Sequence, residues 1–226
     1  MEDPPGPVSL GEGYRLALVG EALLGTPAGW KIGATNERGM AFLGVSEPII
    51  GRLYAERIWH DGAIADLSGE RPAEAEPEIA FRLGESLAAG DDPRGAIAEV
   101  RAAAEIVRPS HSDPFRLGVG FIVADNAAGL GALIGPAIPV ERLFEPEKLV
   151  VSLTVNGGKT CEGRADAVLG NPLEALAWLA RRVGVIPGGS WVLSGGMAPA
   201  IPLERSGGEG RLLLDAGPYG AAGLRF

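Results

Sequence analysis

Ala75-Glu76-Pro77-Glu78-Ile79-Ala80-Phe81 alternates acidic and apolar side chains. Side chains of an extended strand point in turn to its two faces, so Ile79 and Phe81 are predicted on one face and Glu76 and Glu78 on the other. Two carboxylates directed into one place repel each other, and burying them without compensation is costly. The pattern therefore predicts a positive group between them, most simply a divalent cation. The alternative is a solvated edge strand, which Pro77 permits.

The composition narrows the classes of partner and compartment. The chain has 226 residues, 46% hydrophobic and 22% charged, an ordinary balance for a globular protein. Its formal net charge of −9 argues against nucleic acid and anionic membranes as partners. It has no apolar run long enough to cross a bilayer and no signal-peptide pattern at its start. The single cysteine, Cys161, fits a reducing compartment, so we expect a cytoplasmic protein.

Short strand-like runs separated by scattered glycine and proline predict a β-rich fold with many turns. Ser9 and Asn171 are predicted N-caps of two helices, and Asn156-Gly157 is a predicted hairpin turn. A short helix is expected from Pro93 to about Ala102, after an Asp-Pro start signal. Residues 121–127 are predicted as an apolar strand that ends in an Asp-Asn pair, which caps or turns the chain.

Three further places carry candidate chemistry. Lys31 lies in Gly29-Trp30-Lys31-Ile32-Gly33-Ala34-Thr35, where flanking glycines leave room for a ligand, although a surface lysine is the alternative. Glu105 becomes a third inward carboxylate if residues 105–107 form a strand. Ser194-Gly195-Gly196 offers a hydroxyl and backbone N–H groups to an anion, or is simply a turn. His60 and His111 are predicted in loops without partner ligands, so a zinc site is poorly supported.

Six stretches in one order, over about residues 8 to 226, resemble the 2-keto-4-pentenoate hydratase and 4-oxalocrotonate decarboxylase branch of the fumarylacetoacetase superfamily. The matching stretches are residues 29–35, 76–81, 104–107, 123–127, 169–172 with 177–180, and 192–195. The resemblance implies a β-rich α+β fold, a mixed β-sandwich roll with a few flanking helices. It also implies one catalytic domain over residues 1–226, with an N-terminal helical segment, residues 1–28, that is shorter than usual in the branch.

The resemblance further implies a Mg²⁺ or Mn²⁺ ion held by Glu76, Glu78 and Glu105, and a 2-oxo acid or its enol as substrate. Lys31 would bind or protonate the substrate, and Ser194 would hold its carboxylate. The pair Asp125 and Asn126, in another matching stretch, is assigned to substrate binding.

Two positions depart from the pattern of the branch. At the position of Glu56, relatives carry Asp, which is paired with the lysine as a catalytic dyad. Beside the site, this chain has Arg108-Pro109-Ser110 where relatives have Asp-Ser-Arg. Glutamate has an extra methylene, so the acid–base geometry of Glu56 is expected to differ.

The implied reaction is addition of water across the 4,5 double bond of a 2-hydroxy-2,4-dienoate to give a 4-hydroxy-2-oxo acid, with Lys31 and Glu56 moving protons. Decarboxylation of a 4-oxalocrotonate-type acid, hydrolysis of an acylpyruvate C–C bond and a non-catalytic partner subunit are the alternatives. Tryptophans expected at the surface and the resemblance predict a homo-oligomer, with a hetero-complex with a related hydratase or decarboxylase as the further option.

Overall fold

The computed structural model describes residues 6–69, 71–205 and 208–226. Within these residues the helices are α1 (Leu10–Leu24), α2 (Glu37–Leu43), α3 (Val119–Ala124) and α4 (Pro172–Val183). The strands are β1 (Pro27–Gly33), β2 (Ile49–Tyr54), β3 (Ile58–Trp59), β4 (Ala63–Ile64), β5 (Glu74–Leu83), β6 (Leu87–Ala88), β7 (Ile97–Val107), β8 (Gly129–Ile138), β9 (Val150–Val155), β10 (Lys159–Arg164), β11 (Val185–Ile186), β12 (Trp191–Leu193), β13 (Ile201–Pro202), β14 (Arg211–Asp215) and β15 (Ala221–Arg225).

β5 is an interior strand of the larger sheet. The strand order in that sheet is β2-β1-β12-β5-β7-β8-β3, and β13 pairs with the start of β5. A second sheet has the order β10-β9-β14-β15-β4, and β11 pairs with β6. Because β5 is bonded to β7 along one edge and to β12 and β13 along the other, the edge-strand alternative for the Glu76–Glu78 stretch is wrong.

The two faces of β5 differ as the alternating pattern predicts. Ile79 and Phe81 are fully buried in a core cluster that includes Leu153 and Leu214 of the second sheet. Ala80, the residue between them, belongs to a separate cluster on the opposite face. Full burial of a side chain such as Ile or Phe contributes about 1.5–3 kcal/mol, so the apolar face fixes how the two sheets pack. The predicted mixed β-sandwich roll with a few helices is confirmed.

The predicted N-caps of two helices and the predicted hairpin turn are confirmed. The Ser9 side chain accepts a hydrogen bond from the Glu12 N–H at the start of α1, and Asn171 accepts one from the Leu173 N–H at the start of α4. Asn156 and Gly157 have φ values of 52° and 70°, and they join β9 to β10. Two successive residues with positive φ are what a tight hairpin requires, which explains why Asn-Gly predicted it.

The helix predicted from Pro93 to about Ala102 is wrong. Only Pro93–Ala96 is helical, as a 3₁₀ turn, and β7 begins at Ile97. Ala102, Ala103 and Ala104 are completely buried between β5 and β8, where small side chains fit the crowded sheet. Burial in the sheet therefore overrides the helix propensity of alanine.

The strand predicted at residues 121–127 is also wrong, because α3 covers Val119–Ala124. The helix lies directly against α1, and a Cβ added to Gly13 would be only 2.1 Å from the Gly120 carbonyl oxygen. Glycine at both positions permits this backbone contact. The periodicity of a short apolar run cannot distinguish a buried strand from a buried helix, so the sequence did not predict α3.

The tryptophans expected at the surface are all partly covered. Large apolar side chains face solvent at other positions. Leu23 and Val19 in α1 are 86% and 75% exposed, and Phe42 is 68% exposed. Over the described residues, no helix has the length and apolar character needed to cross a membrane.

Candidate metal and substrate site

Three carboxylates converge on one face of the larger sheet. Glu76 and Glu78 point to the same side of β5, and Glu105 of β7 lies directly opposite Glu76 in the antiparallel register. Each carboxylate offers one oxygen, and these oxygens all lie within 4.8 Å of one another. The structure thus brings together the three residues that the sequence predicts as metal ligands.

Glu78 and Glu105 are buried and Glu76 is partly buried, and the three carboxylates repel one another. Burial, followed by repulsion from Glu105, raises the pKa of Glu76 to about 7. Burial, followed by repulsion from Glu105 and Glu76, raises the pKa of Glu78 well above its ordinary value. Glu78 Oε2 accepts a 2.8 Å hydrogen bond from the Gly195 N–H. In the described part of the chain, Oε1 of Glu78 and Oε1 of Glu105 accept none.

These residues fit a divalent metal ion. The donors are all carboxylate oxygens, the ligands that Mg²⁺ and Mn²⁺ prefer. Glu78 Oε1 is buried without a hydrogen bond, and leaving such an oxygen uncompensated is costly, so a bound cation would relieve it. Glu76, Glu78 and Glu105 would hold the ion.

Lys31 enters the same site from β1. It is 3% exposed, which rules out the surface lysine considered as the alternative. Its Nζ donates a 2.6 Å hydrogen bond to the Ala127 carbonyl. Nζ also lies 3.0 Å from Glu105 Oε1, and these two atoms form an ion pair whose angles do not fit a hydrogen bond. A Cβ added to Gly51 or Gly129 would lie 2.9 or 3.0 Å from Lys31 Cε, so both glycines leave space for the lysine stem.

An unusual turn presents the Ala127 carbonyl to Lys31. Asn126, Ala127 and Ala128 have φ values of 54°, 49° and 61°. The left-handed region costs a residue other than glycine about 1–2 kcal/mol. Asn126 secures the turn, since its Oδ1 accepts from the Arg52 N–H at 2.7 Å and its Nδ2 donates to the Arg52 and Gly129 carbonyls at 3.0 Å. The amide is engaged by backbone groups, so Asn126 supports the turn, and its assignment to substrate binding stays a prediction.

Ser194 and Thr35 differ in whether their hydroxyls are engaged. Ser194 is completely buried, and its Oγ accepts a 3.3 Å hydrogen bond from the Ile79 N–H of β5. Thr35 is 1% exposed, and among the described residues its Oγ1 has no hydrogen-bond partner. It lies beside Gly195, where an added Cβ would be 2.2 Å from Oγ1. The sequence reasoning did not single out Thr35, and the available signal was its place at the end of the glycine-flanked stretch that contains Lys31.

Asp125 lies at the edge of the site and Glu56 outside it. Asp125 Oδ2 accepts a 2.7 Å hydrogen bond from the Ser110 N–H, and burial raises the pKa of Asp125. Glu56 is exposed, and its carboxylate accepts hydrogen bonds of 3.1 and 3.3 Å from the Thr26 N–H. A hydrogen bond with the Thr26 side chain, followed by backbone hydrogen bonds of Glu56 and Thr26, lowers the pKa of Glu56. Lys31 pairs with Glu105 rather than Glu56, so the expected Lys31–Glu56 dyad is not formed.

Known proteins resemble this chain in sequence and fold, although no family model matches it. A 4-oxalocrotonate decarboxylase of Pseudomonas sp. is 31% identical over 183 residues, 78% of this chain and 70% of the relative. A 2-keto-4-pentenoate hydratase of Paraburkholderia phymatum is 32% identical over 199 residues, 84% of this chain and 74% of the relative.

Solved structures agree with these relatives. The 4-oxalocrotonate decarboxylase from Pseudomonas putida G7, complexed with magnesium and adipate, superposes with a TM-score of 0.83 at 26% identity, over 97% of this chain and 86% of that one. A fumarylpyruvate hydrolase from Pseudomonas aeruginosa, in complex with Mn²⁺ and pyruvate, shares the fold with a TM-score of 0.68 at 16% identity, over 88% and 89% of the two chains. The chain belongs to the 2-keto-4-pentenoate hydratase and 4-oxalocrotonate decarboxylase branch of the fumarylacetoacetase family.

Proposed function

We propose that this protein is a metal-dependent hydratase that adds water to a 2-hydroxy-2,4-dienoate and gives a 4-hydroxy-2-oxo acid. The observation that carries the proposal is the buried cluster of Glu76, Glu78 and Glu105, two of whose oxygens lack hydrogen-bond partners, beside the buried Lys31. Similarity to relatives named as hydratases supports it. Mg²⁺ or Mn²⁺ is the proposed ion, because both prefer oxygen ligands.

When bound, the ion supplies electrophilic stabilisation of negative charge on the substrate. Lys31 acts on the same charge from the protein side. One N–H of its ammonium group is bound to the Ala127 carbonyl, and the Glu105 carboxylate lies 3.0 Å away as an ion pair, so N–H groups remain for the substrate oxygen that gains charge. A pre-oriented donor of this kind costs no reorganisation during the reaction.

Thr35 is the proposed contact for the substrate carboxylate. Its buried hydroxyl has no partner among the described residues and lies beside Gly195, whose N–H is bonded to Glu78. Ser194, expected from the sequence to hold that carboxylate, already accepts a hydrogen bond from Ile79. A hydroxyl that is buried and unpaired gains more from a ligand than one that must give up an existing bond.

Decarboxylation of a 4-oxalocrotonate-type acid is the second candidate, because decarboxylases of that name are 31% identical to the chain, close to the 32% and 33% of two hydratases. Loss of CO₂ from such an acid also leaves negative charge in the conjugated chain, where Lys31 would stabilise it. The homo-oligomer, the single catalytic domain over residues 1–226 and the cytoplasmic location remain predictions.

The test is an assay of the purified protein on both substrates, with Mg²⁺ or Mn²⁺ and with EDTA. A hydratase consumes 2-hydroxypenta-2,4-dienoate, seen as loss of its ultraviolet absorbance, only when the metal is present. A decarboxylase instead releases CO₂ from 4-oxalocrotonate. Turnover that is unchanged by EDTA would contradict metal dependence, and no turnover of either acid would leave the non-catalytic partner subunit as the better account.

A further inference from the structure

A cavity of about 250 Å³ lies between α1 and β2, the strand at one end of the larger sheet. One face of α1 lines it, through residues three or four positions apart from Tyr14 to Leu24. Trp30 and Arg52 also line it, and because they lie opposite each other on β1 and β2, their side chains share a face of the sheet. Lys31 points to the other face, and the described lining contains neither Lys31 nor a metal ligand. The cavity is therefore separate from the metal and substrate site.

The cavity has room for a small organic molecule with an apolar body. An engineered cavity of about 150 Å³ in another protein is large enough to bind benzene. The larger volume here leaves space for a ring with substituents. Leu18, Ile50, Val123 and Val183 form apolar parts of the wall, against which such a body would lie.

One end of the cavity carries a positive charge without a paired carboxylate. The Tyr14 hydroxyl accepts a 3.2 Å hydrogen bond from the Ile50 N–H, and its own proton has no acceptor among the described residues. Cζ of Arg182 lies 5.3 Å from the centre of the Tyr14 ring. In the described part of the chain, no carboxylate oxygen comes within the 4.0 Å of an ion pair with Arg182. A guanidinium and a phenol proton at this end favour a carboxylate group.

The other end is neutral and contains a hydroxyl without a partner. Tyr54 follows Ile50 by four residues on β2, about 13 Å further along an extended strand. Tyr54 is 5% exposed, and its hydroxyl has no hydrogen-bond partner among the described residues. Burial, followed by the charge of Glu21, raises the pKa of Tyr54, so the hydroxyl stays protonated. The Glu21 charge is compensated by Arg52, whose Nε lies 2.9 Å from Glu21 Oε1. A neutral acceptor on a ligand would therefore satisfy the Tyr54 hydroxyl.

We propose that this cavity binds a small carboxylate whose apolar body carries a neutral oxygen at its far end. The carboxylate would meet Arg182 and Tyr14, and the far oxygen would accept a hydrogen bond from Tyr54. Binding at this place requires no metal ion and is independent of the reaction proposed above.

The test compares 4-hydroxybenzoate with benzoate, which lacks the hydroxyl, and with 4-hydroxybenzyl alcohol, which lacks the charge. Calorimetry in EDTA should show 4-hydroxybenzoate binding about tenfold more tightly than the alcohol, the value of one charge-assisted hydrogen bond. It should also bind severalfold more tightly than benzoate, because benzoate leaves Tyr54 unpaired.

Arg182→Gln should remove the preference over the alcohol, and Tyr54→Phe should remove the preference over benzoate. Arg181→Gln, at the neighbouring exposed position of α4, is the matched control and should keep both preferences. Arg182 is exposed and Tyr54→Phe keeps the buried ring, so both variants should fold. Survival of either preference in its own folded variant would overturn the proposal.

The place of binding is tested with Lys31→Met, which should leave the affinity for 4-hydroxybenzoate unchanged. A tenfold loss in this variant would place the ligand in the metal and substrate site and overturn the proposal. Absence of binding to the wild-type protein, or equal affinity for the three ligands, would overturn it as well. Because these measurements contain no metal ion and no turnover, such results would leave the proposed function standing.

Discussion

Glu78→Gln should make the metal-free protein more stable than wild type and the metal-saturated protein less stable. Glu78 is completely buried, and this burial, followed by repulsion from Glu105 and Glu76, raises its pKa. Glutamine keeps an acceptor for the Gly195 N–H and removes one charge from the cluster. Its NH₂ group also offers a donor toward Oε1 of Glu105, which accepts no hydrogen bond in the described structure and has the Lys31 ammonium 3.0 Å away. Satisfying that oxygen and removing the repulsion should raise the free energy of unfolding without metal by about 1–3 kcal/mol.

When the metal is present, wild type should be more stable than the Glu78→Gln protein. An ion at 100 times its Kd stabilises a folded protein by about 2.7 kcal/mol. In a chain of this size each kcal/mol moves Tm by about 2–4 °C, so wild type should gain about 5–11 °C. Glutamine is a neutral and weaker ligand, so the variant should gain much less at the same Mn²⁺ concentration.

Thermal unfolding in EDTA and in a Mn²⁺ titration measures both effects. Glu85→Gln is the control, because it makes the same chemical change at an exposed position outside the cluster. It should leave the Mn²⁺ shift at the wild-type value. A Glu78→Gln protein that melts below wild type in EDTA, or that gains as much from Mn²⁺, would refute the placement of Glu78 among the metal ligands.

Four further outcomes are expected. Lys31→Met should lower kcat by about 10²–10⁴-fold with Mn²⁺ affinity little changed, and calorimetry beside steady-state kinetics would show whether metal affinity falls as well. Thr35→Val should raise KM several-fold while Tm stays equal or rises, because the variant loses a hydroxyl that is unpaired in the described structure. Glu56→Gln should keep kcat within a few-fold of wild type, since its carboxylate binds the Thr26 N–H; a hundredfold loss would restore it to the mechanism. Without metal, the pKa of Glu76 rises from 4.5 to about 7 on folding, so the folded state binds more protons between these values. The free energy of unfolding should therefore fall by at most about 3 kcal/mol as pH rises through that window, which urea titrations in EDTA would measure.

The metal cluster could be predicted from sequence because its geometry is local. Glu76 and Glu78 share a face through the alternation of one strand, whatever surrounds that strand. Glu105 required the further assumption that residues 105–107 are extended, and β7 bears this out. The partner of Lys31 was not predictable in the same way. Glu56 lies closer in sequence than Glu105, but sheet pairing decides which carboxylate reaches the ammonium.

The groups around Lys31 are positioned by tertiary contacts, which produce no periodic pattern in the sequence. Ala127 contributes a carbonyl, which every residue has, and its left-handed φ is held by a tertiary contact between Asn126 and Arg52. An Asp-Asn pair does signal a turn, but not where the turn points. Thr35 stands out because its hydroxyl is buried without a hydrogen-bond partner among the described residues. This property arises only when the glycine loop after Ser194 packs against Thr35 in the folded protein.

The pairing of Glu76 with Glu105 across β5 and β7 also makes the metal site depend on the alignment of these two strands. A slip of one residue between these strands would place Ala104 or Ile106 opposite Glu76 and turn Glu105 toward the apolar core. Such a sheet would lack the third carboxylate and bind the ion weakly. A bound ion would therefore stabilise the correctly aligned sheet and not the misaligned one, so metal binding and the alignment of these strands are thermodynamically linked.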